Sequence, residues 1–177
     1  MLCELLFKYK MNECALITFL ENYSTVTQSG SSNGGAATFN VDHVDNRMRT
    51  PLHNAAIKGD VGVVEGLLLG KANPNTLDKD NCTPLCLAIR EDRFDTALLL
   101  INSAQSTSNN QNNSPSPLSV DVNLGGGIFG SPMHLAVVKL EVWIVKRLLM
   151  KGAQVNKADC DGNTPLHLVM NVFSKNA

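Results

Sequence analysis

The chain has 177 residues, of which 44% are hydrophobic and 18% are charged, and its formal net charge is −1. This composition is typical of a folded protein and excludes a largely disordered chain. The near-zero charge also argues against a broad electrostatic attraction to nucleic acid or to an anionic membrane.

The N-terminal segment, MLCELLFKYKMNECALITFLENYS, is partly apolar but carries charged residues at positions 4, 8, 10 and 13. It has neither the uninterrupted apolar run of a signal peptide nor the length of a membrane span. The five cysteines are odd in number and lack a disulfide-like spacing, so reduced thiols are expected. These features predict an intracellular protein, cytoplasmic or nuclear, without a membrane partner.

Four motifs of one kind follow along the chain. They read TPLHNAA at 50–56, TPLCLAI at 83–89, SPMHLAV at 131–137 and TPLHLVM at 164–170. In each motif a Thr or Ser suited to the N-cap precedes a Pro suited to the first helical position, which predicts a helix start. After the first motif, Gly59 ends the helix, and a second helix places Val63, Val64, Leu67 and Leu68 on one face.

The motifs begin 33, 48 and 33 residues apart, and the longer interval contains an insertion of 15 residues. Helices this short are not stable alone, and each has one apolar face that only a neighbouring helix pair can cover. The spacing therefore predicts a solenoid of stacked helix pairs.

The period and the motif resemble the ankyrin-repeat family. The segments ANPN at 72–75, VDVN at 120–123, AQVN at 153–156 and DCDGN at 159–163 are similar to the turns of that family. The resemblance implies an all-α solenoid of antiparallel helix pairs with projecting β-hairpin-like turns. It predicts a single domain over 1–177, with repeats at about 1–45, 46–78, 79–126 and 127–159 and an incomplete one at 160–177.

Two uncharged insertions rich in Ser, Asn, Thr and Gly interrupt the first and third of these repeats, at 23–38 and 102–119. Such sequences cannot bury enough apolar surface to offset the entropy of ordering, so we expect flexible loops that act as spacers. An alternative is regulation, because Ser114 and Ser116 each precede a proline and phosphorylation there would add negative charge.

One repeat position carries His53, His134 and His167, with Cys86 in the remaining copy. Metal ligands would have to lie about 2 Å from one centre, whereas neighbouring helices lie about 10 Å apart. The resemblance implies instead that each histidine hydrogen-bonds the adjoining turn. No nucleophile has an identifiable base, and Gly125–Gly127 lack the surroundings of a phosphate loop. We predict no enzyme activity, metal, cofactor or small-molecule substrate.

Partner-binding candidates fall into two groups. Ile128 and Phe129 in the third turn, and Trp143 beside a buried pair, are either interface anchors or residues that pack on a neighbouring repeat. The second group consists of charged residues near turns and first-helix ends, and the alternative is that they simply form a solvated face. These residues are Arg47, Arg49, Lys58, Arg90, Arg93 and Lys139.

The sequence thus predicts a protein-binding module that serves as an adaptor, scaffold or targeting segment for a partner of unknown identity. Two alternatives remain, namely the regulatory region of a larger enzyme or channel and an inhibitor of a Rel-type transcription factor. The last motif, at Thr164, has no second helix after it. We therefore expect either a piece of a longer protein or an end that another chain covers.

Overall fold

The computed structural model describes residues 41–103 and 119–174, which all lie in one compact unit that begins at Val41. Within these two ranges there are seven α-helices, one short 3₁₀ turn and no strand. Residues 1–40 of the first predicted repeat, both insertions except 102–103 and 119, and the candidate phosphorylation sites Ser114 and Ser116 lie outside the described residues.

The helices occur as three pairs followed by one further helix. The pairs are α1 (Pro51–Lys58) with α2 (Val61–Leu69), α3 (Pro84–Arg90) with α4 (Phe94–Ser103), and α5 (Pro132–Val138) with α6 (Val142–Met150). The last helix is α7 (Pro165–Ser174), and the 3₁₀ turn spans Gly127–Phe129 just before α5. No helix in the described ranges combines the length and the hydropathy needed to cross a membrane.

The four predicted helix starts are confirmed, because α1, α3, α5 and α7 each begin at the proline of a motif. Local chemistry explains these starts. The hydroxyl of Thr83 accepts the backbone N–H of Cys86 at 3.3 Å, which satisfies one donor of the first turn of α3. Gly59 ends α1 in the left-handed conformation with φ 82°, and its N–H donates to the carbonyl of Ala55.

The helices form two rows. The first helices α1, α3, α5 and α7 contact one another in succession, the second helices α2, α4 and α6 do the same, and each pair packs internally. The four prolines that open the first helices are therefore equivalent neighbours along one stack. This arrangement confirms the all-α repeat solenoid that the spacing predicts.

The core repeats along the stack. Leu52, Leu85 and Met133 occupy the same position of successive first helices and are all buried, because the following first helix packs on each one. Burial of such a side chain contributes about 1.5–3 kcal/mol. Leu166 occupies that position in α7 and is exposed, since no described helix packs on its far side.

Asparagine side chains hold the repeats in register. Asn75 accepts the N–H of Asp121 at 2.8 Å through its Oδ1 atom, and its Nδ2 atom donates to the carbonyl of Ser119 at 2.7 Å. One repeat later, Asn123 accepts the N–H of Gln154 at 2.8 Å in the same way. Because Asn75 contacts Ser119, the last residue of the second insertion, and Asp121 just after it, the repeat phase is restored at the end of the insertion.

Candidate partner-binding site

Histidines join the repeats to their following turns. The Nδ1 atom of His53 accepts the backbone N–H of Thr50 at 3.0 Å, so Nε2 carries the proton and donates to the carbonyl of Cys82 at 3.1 Å. Burial lowers the pKa of His53, which keeps the ring neutral. His134 bonds the carbonyl of Asn163 at 3.0 Å in the same manner.

These contacts give the histidine position a structural role, as the resemblance implies. The His53 and His134 rings are each occupied on both nitrogens by hydrogen bonds within the stack. Across the described residues, no group of three or more His, Cys, Asp or Glu side chains is arranged to hold a metal ion.

Ordinary turns of this chain are closed by an aspartate. In the second turn, the Oδ1 atom of Asp78 accepts the N–H groups of Asp80 and Cys82 at 2.9 and 2.8 Å. Asp45 closes the first described turn and Asp159 closes the fourth through the same pair of bonds. A carboxylate that satisfies two backbone donors makes these three turns compact.

The third turn has neither a closing aspartate nor a linking histidine from the preceding repeat. Gly126 stands where the other turns have aspartate, and Cys86 stands where the preceding repeat would supply the linking histidine. The turn instead packs its backbone directly on the second turn, with the N–H of Gly126 donating to the carbonyl of Asn81 at 3.0 Å. A Cβ atom on Gly127 would lie 2.0 Å from the carbonyl oxygen of Asp80, so only glycine fits there.

This irregular turn presents two apolar side chains. Ile128 is 71% exposed and Phe129 is 38% exposed, and the guanidinium carbon of Arg90 lies 5.2 Å from the centre of the Phe129 ring. The contact is a cation–π interaction that holds Phe129 against the preceding repeat. We call Ile128, Phe129 and Arg90 the third-turn knob. At the position of Ile128, the other turns carry polar residues, namely Arg47, Asp80 and Asp161.

Phe129 packs on Arg90 of the preceding repeat with one side of its ring, while the rest of the ring meets solvent; its use as an interface anchor stays a prediction. Ile128 has no such cover. Its exposure at the tip makes it the more accessible of the two candidate anchors.

The charged candidates differ in their surroundings. Arg49 is mostly buried and lies 3.6 Å from the carboxylate of Asp78, an ion pair between successive turns. Lys139 contacts Asp92 of the preceding repeat at 2.6 Å. The Nε atom of the exposed Arg93 donates to a backbone carbonyl of the preceding repeat at 3.2 Å. These three side chains contact neighbouring repeats, whereas Arg47 and Lys58 are exposed, and the backbone carbonyl of Arg47 accepts the N–H of Lys79 in the next turn.

Trp143 lies on a different surface from the knob. It is the second residue of α6 and is 72% exposed, so it does not pack into a neighbouring repeat. The third turn precedes α5 and Trp143 follows it, and seven helical residues span about 10 Å. The candidate anchors therefore occupy opposite ends of α5.

Leu140 lies two residues before α6, and Val142 is the first residue of α6. Both are exposed apolar residues that the sequence patterns did not single out. Leu140 also has a left-handed backbone with φ 57°. Alignment of the repeats could have found it, because Gly59 occupies the same position in the first pair.

Comparison with known proteins agrees with this architecture. Residues 32–113 match a family model described as ankyrin repeats in three copies. The nuclear factor NF-kappa-B p105 subunit of Gallus gallus is 36% identical over 123 residues, which cover 69% of this chain and 11% of that protein. Human inversin is 29% identical and mouse inversin 30% identical, each over 122 residues that cover 68% of this chain and 10% of the relative.

The chain matches only about a tenth of the length of these relatives. The family match spans residues 32–113, which contain the first two TPLH-type helix starts, the linking histidine His53 and the turns closed by Asp45 and Asp78. The family match over residues 32–113 and the stacked helix pairs together identify ankyrin repeats in this chain.

Proposed function

We propose that the chain is a protein–protein interaction module that binds its partner through the third-turn knob. The observation that carries this proposal is the exposure of Ile128 at a tip where the other described turns are polar. Aromatic residues and arginine are enriched at the centres of protein interfaces, and the knob supplies Phe129 and Arg90 beside the isoleucine.

The surface around the knob supports the same function. Val138 occupies the repeat position of Arg90 on the next first helix and is also exposed. Val138 adds an exposed apolar side chain on the next first helix to the apolar and cationic groups of the knob. Binding by surface complementarity over several repeats requires no bond to be made or broken, which suits an adaptor, scaffold or targeting role inside the cell.

The test is affinity capture from the source cell with quantitative mass spectrometry, using the full chain beside an Ile128→Asp variant. Aspartate is the residue at this position in the second and fourth turns, so the variant is expected to fold normally. We expect at least one protein to fall about tenfold or more in recovery, as for loss of about 1.4 kcal/mol of binding energy.

Val155→Asp provides a matched control, since Val155 is an exposed aliphatic residue that does not belong to the knob. It should leave the recovered proteins unchanged. Identical partner lists for wild type and Ile128→Asp, with equal melting temperatures, would remove the knob from the proposal.

The similarity to the NF-kappa-B p105 subunit favours a second candidate, in which the module inhibits a Rel-type transcription factor. Similarity to inversin is only slightly lower, so the comparison alone does not choose between them. A binding assay with a purified Rel-type factor decides this candidate: saturable binding that Ile128→Asp weakens would support it. Regulation of a larger enzyme or channel is the third alternative, and it requires sequence beyond these residues.

A further inference from the structure

A second exposed apolar surface lies where α5 turns into α6. Leu140 is 52% exposed, and the two first residues of α6, Val142 and Trp143, are each more than 70% exposed. We call these three residues the α5–α6 corner. Three large apolar side chains so close together in solvent form a contiguous patch of the kind that marks interaction sites.

The exposure of Trp143 does not come from the lack of a following helix pair. Gly62 and Asp95 occupy the same repeat position in α2 and α4, where a helix pair does follow, and both are exposed as well. The position is therefore a surface position in every described pair. What distinguishes the third pair is that a tryptophan stands there instead of a small or charged residue.

Leu140 is retained in a strained backbone conformation. Its φ of 57° matches Gly59 with φ 82° and Asp92 with φ 58° at the same repeat position. Glycine and aspartate adopt this left-handed region more readily, whereas it is unfavourable for most other L-residues. Met48 and Lys71 share this conformation elsewhere in the chain, and at the corner it holds an exposed leucine that gains little burial from folding.

Basic charge accompanies the apolar corner. Lys146 and Arg147 are exposed and lie three and four residues after Trp143, hence on the same side of α6, and Met150 continues that side one turn later. The sequence of α6, VWIVKRLLM, contains no acidic residue. The outer face of α6 thus combines exposed apolar groups with two positive charges.

We propose that the α5–α6 corner and the outer face of α6 bind a short amphipathic helix of a protein partner, with acidic residues beside its apolar side. Trp143 and Met150 lie seven residues apart, about 10 Å along α6, which corresponds to two turns of a docked helix with apolar residues at i, i+3 or i+4, and i+7. Lys146 and Arg147, between them, face the acidic residues of the ligand.

This surface goes beyond the proposed function, because it lies at the opposite end of α5 from the third-turn knob. Because Ile128 precedes α5 whereas Leu140 and Trp143 follow it, we expect a substitution at Ile128 to leave the corner unchanged.

In the experiment, a phage-displayed library of random 16-residue peptides is selected for binding to the full chain. The best peptide is then synthesised and titrated into the protein. Trp143 is the only tryptophan of the chain, so its fluorescence reports contact at the corner directly. We expect enriched peptides with apolar residues at helical spacing and flanking Asp or Glu. The best peptide should shift the tryptophan emission saturably, and the Lys146→Glu/Arg147→Glu variant should bind it at least tenfold more weakly.

Leu140→Asn separates binding from folding. Asparagine tolerates the left-handed conformation, so this variant should melt at the wild-type temperature or above it while binding the peptide at least threefold more weakly. The matched control is Leu69→Asn, which removes a leucine of similar exposure, 50%, from the end of α2 and should leave peptide binding unchanged.

Four outcomes would overturn the proposal. The first two are selected peptides without an acidic helical consensus, and binding of the best peptide by Leu140→Asn as tight as by wild type. The third is a tryptophan emission shift with anionic phosphatidylserine vesicles but not with peptide. The fourth is burial of Trp143 by self-association that depends on protein concentration. Ile128→Asp should bind the peptide normally, so failure of the third-turn knob and failure of this site give different results.

Discussion

The Nε2 atom of His53 lies 3.1 Å from the carbonyl oxygen of Cys82, a residue 29 positions later in the next turn. The same ring accepts the N–H of Thr50 through Nδ1, so one side chain fixes both the start of α1 and the turn that follows the helix pair. Neighbouring repeats are thereby coupled through a buried, neutral imidazole.

Replacement of His53 by alanine should destabilise the chain by about 2–3 kcal/mol, because two buried backbone groups lose their partner. Urea denaturation followed by circular dichroism measures the free energy of unfolding. His167→Ala is the matched control, since His167 is exposed and its Nε2 atom has no partner within the described part of the chain. Equal losses in the two variants would contradict the coupling role of His53.

Acid should destabilise the protein through His53. Burial holds the pKa of this histidine in the folded chain below its ordinary value of 6.5. His53 in the unfolded chain therefore binds a proton near pH 6.5, whereas in the folded chain it binds a proton only at lower pH. The free energy of unfolding consequently falls as the pH drops from 6.5 towards the pKa of His53 in the folded chain. The melting temperature between pH 7.5 and 5.5 should decline more steeply for wild type than for His53→Gln. Parallel curves would show that other groups account for the acid effect.

Cys86→His should lower stability, although histidine occupies this position in three other motifs. The third turn packs closely on the thiol, since a Cβ atom on Gly125 would lie 3.2 Å from the Cys86 sulfur. A larger ring there would force the turn away and cost about 1–3 kcal/mol of overpacking. Thermal melts beside Cys86→Ala, which keeps the turn in place, measure the effect. A higher melting temperature for Cys86→His would disprove this explanation of the third turn.

The described cysteines should differ sharply in reactivity. Burial raises the pKa of Cys82 to about 12 and also raises the pKa of Cys86, whereas Cys160 is exposed. Because the thiolate is the reactive form, brief iodoacetamide treatment at pH 8 should modify Cys160 well before the other two. Peptide mass spectrometry identifies the sites, with urea-unfolded protein as the control in which all three react. Early modification of Cys82 would indicate that the first two repeats open readily.

The resemblance of the motifs, and their spacing, predicted the stack and its helix starts. Thr83-Pro84 begins a helix because its chemistry is local: the hydroxyl accepts an N–H three residues away, and the ring needs no donor. The structural role of His53 and His134 could also be predicted, but only through the family resemblance, since their acceptors lie 29 residues away.

The partner-facing surfaces were only partly predictable. Ile128 and Trp143 could be singled out as apolar residues in polar positions, yet the sequence left open whether they pack or protrude, and the tertiary structure leaves both exposed. The partial cover of Phe129 by Arg90 depends on side chains 39 positions apart meeting between repeats. Their use by a partner stays a prediction for all of the candidate residues.

The sequence by itself determined the repeat period, the helix starts and the apolar faces, because capping and helical periodicity act over a few residues. Only the tertiary structure decided which Arg and Lys side chains contact a neighbouring repeat, why the third turn needs glycine at 127 beside Asp80, and that Leu140 is strained. These properties arise from distances and backbone angles between stacked repeats, which no single stretch of the chain contains.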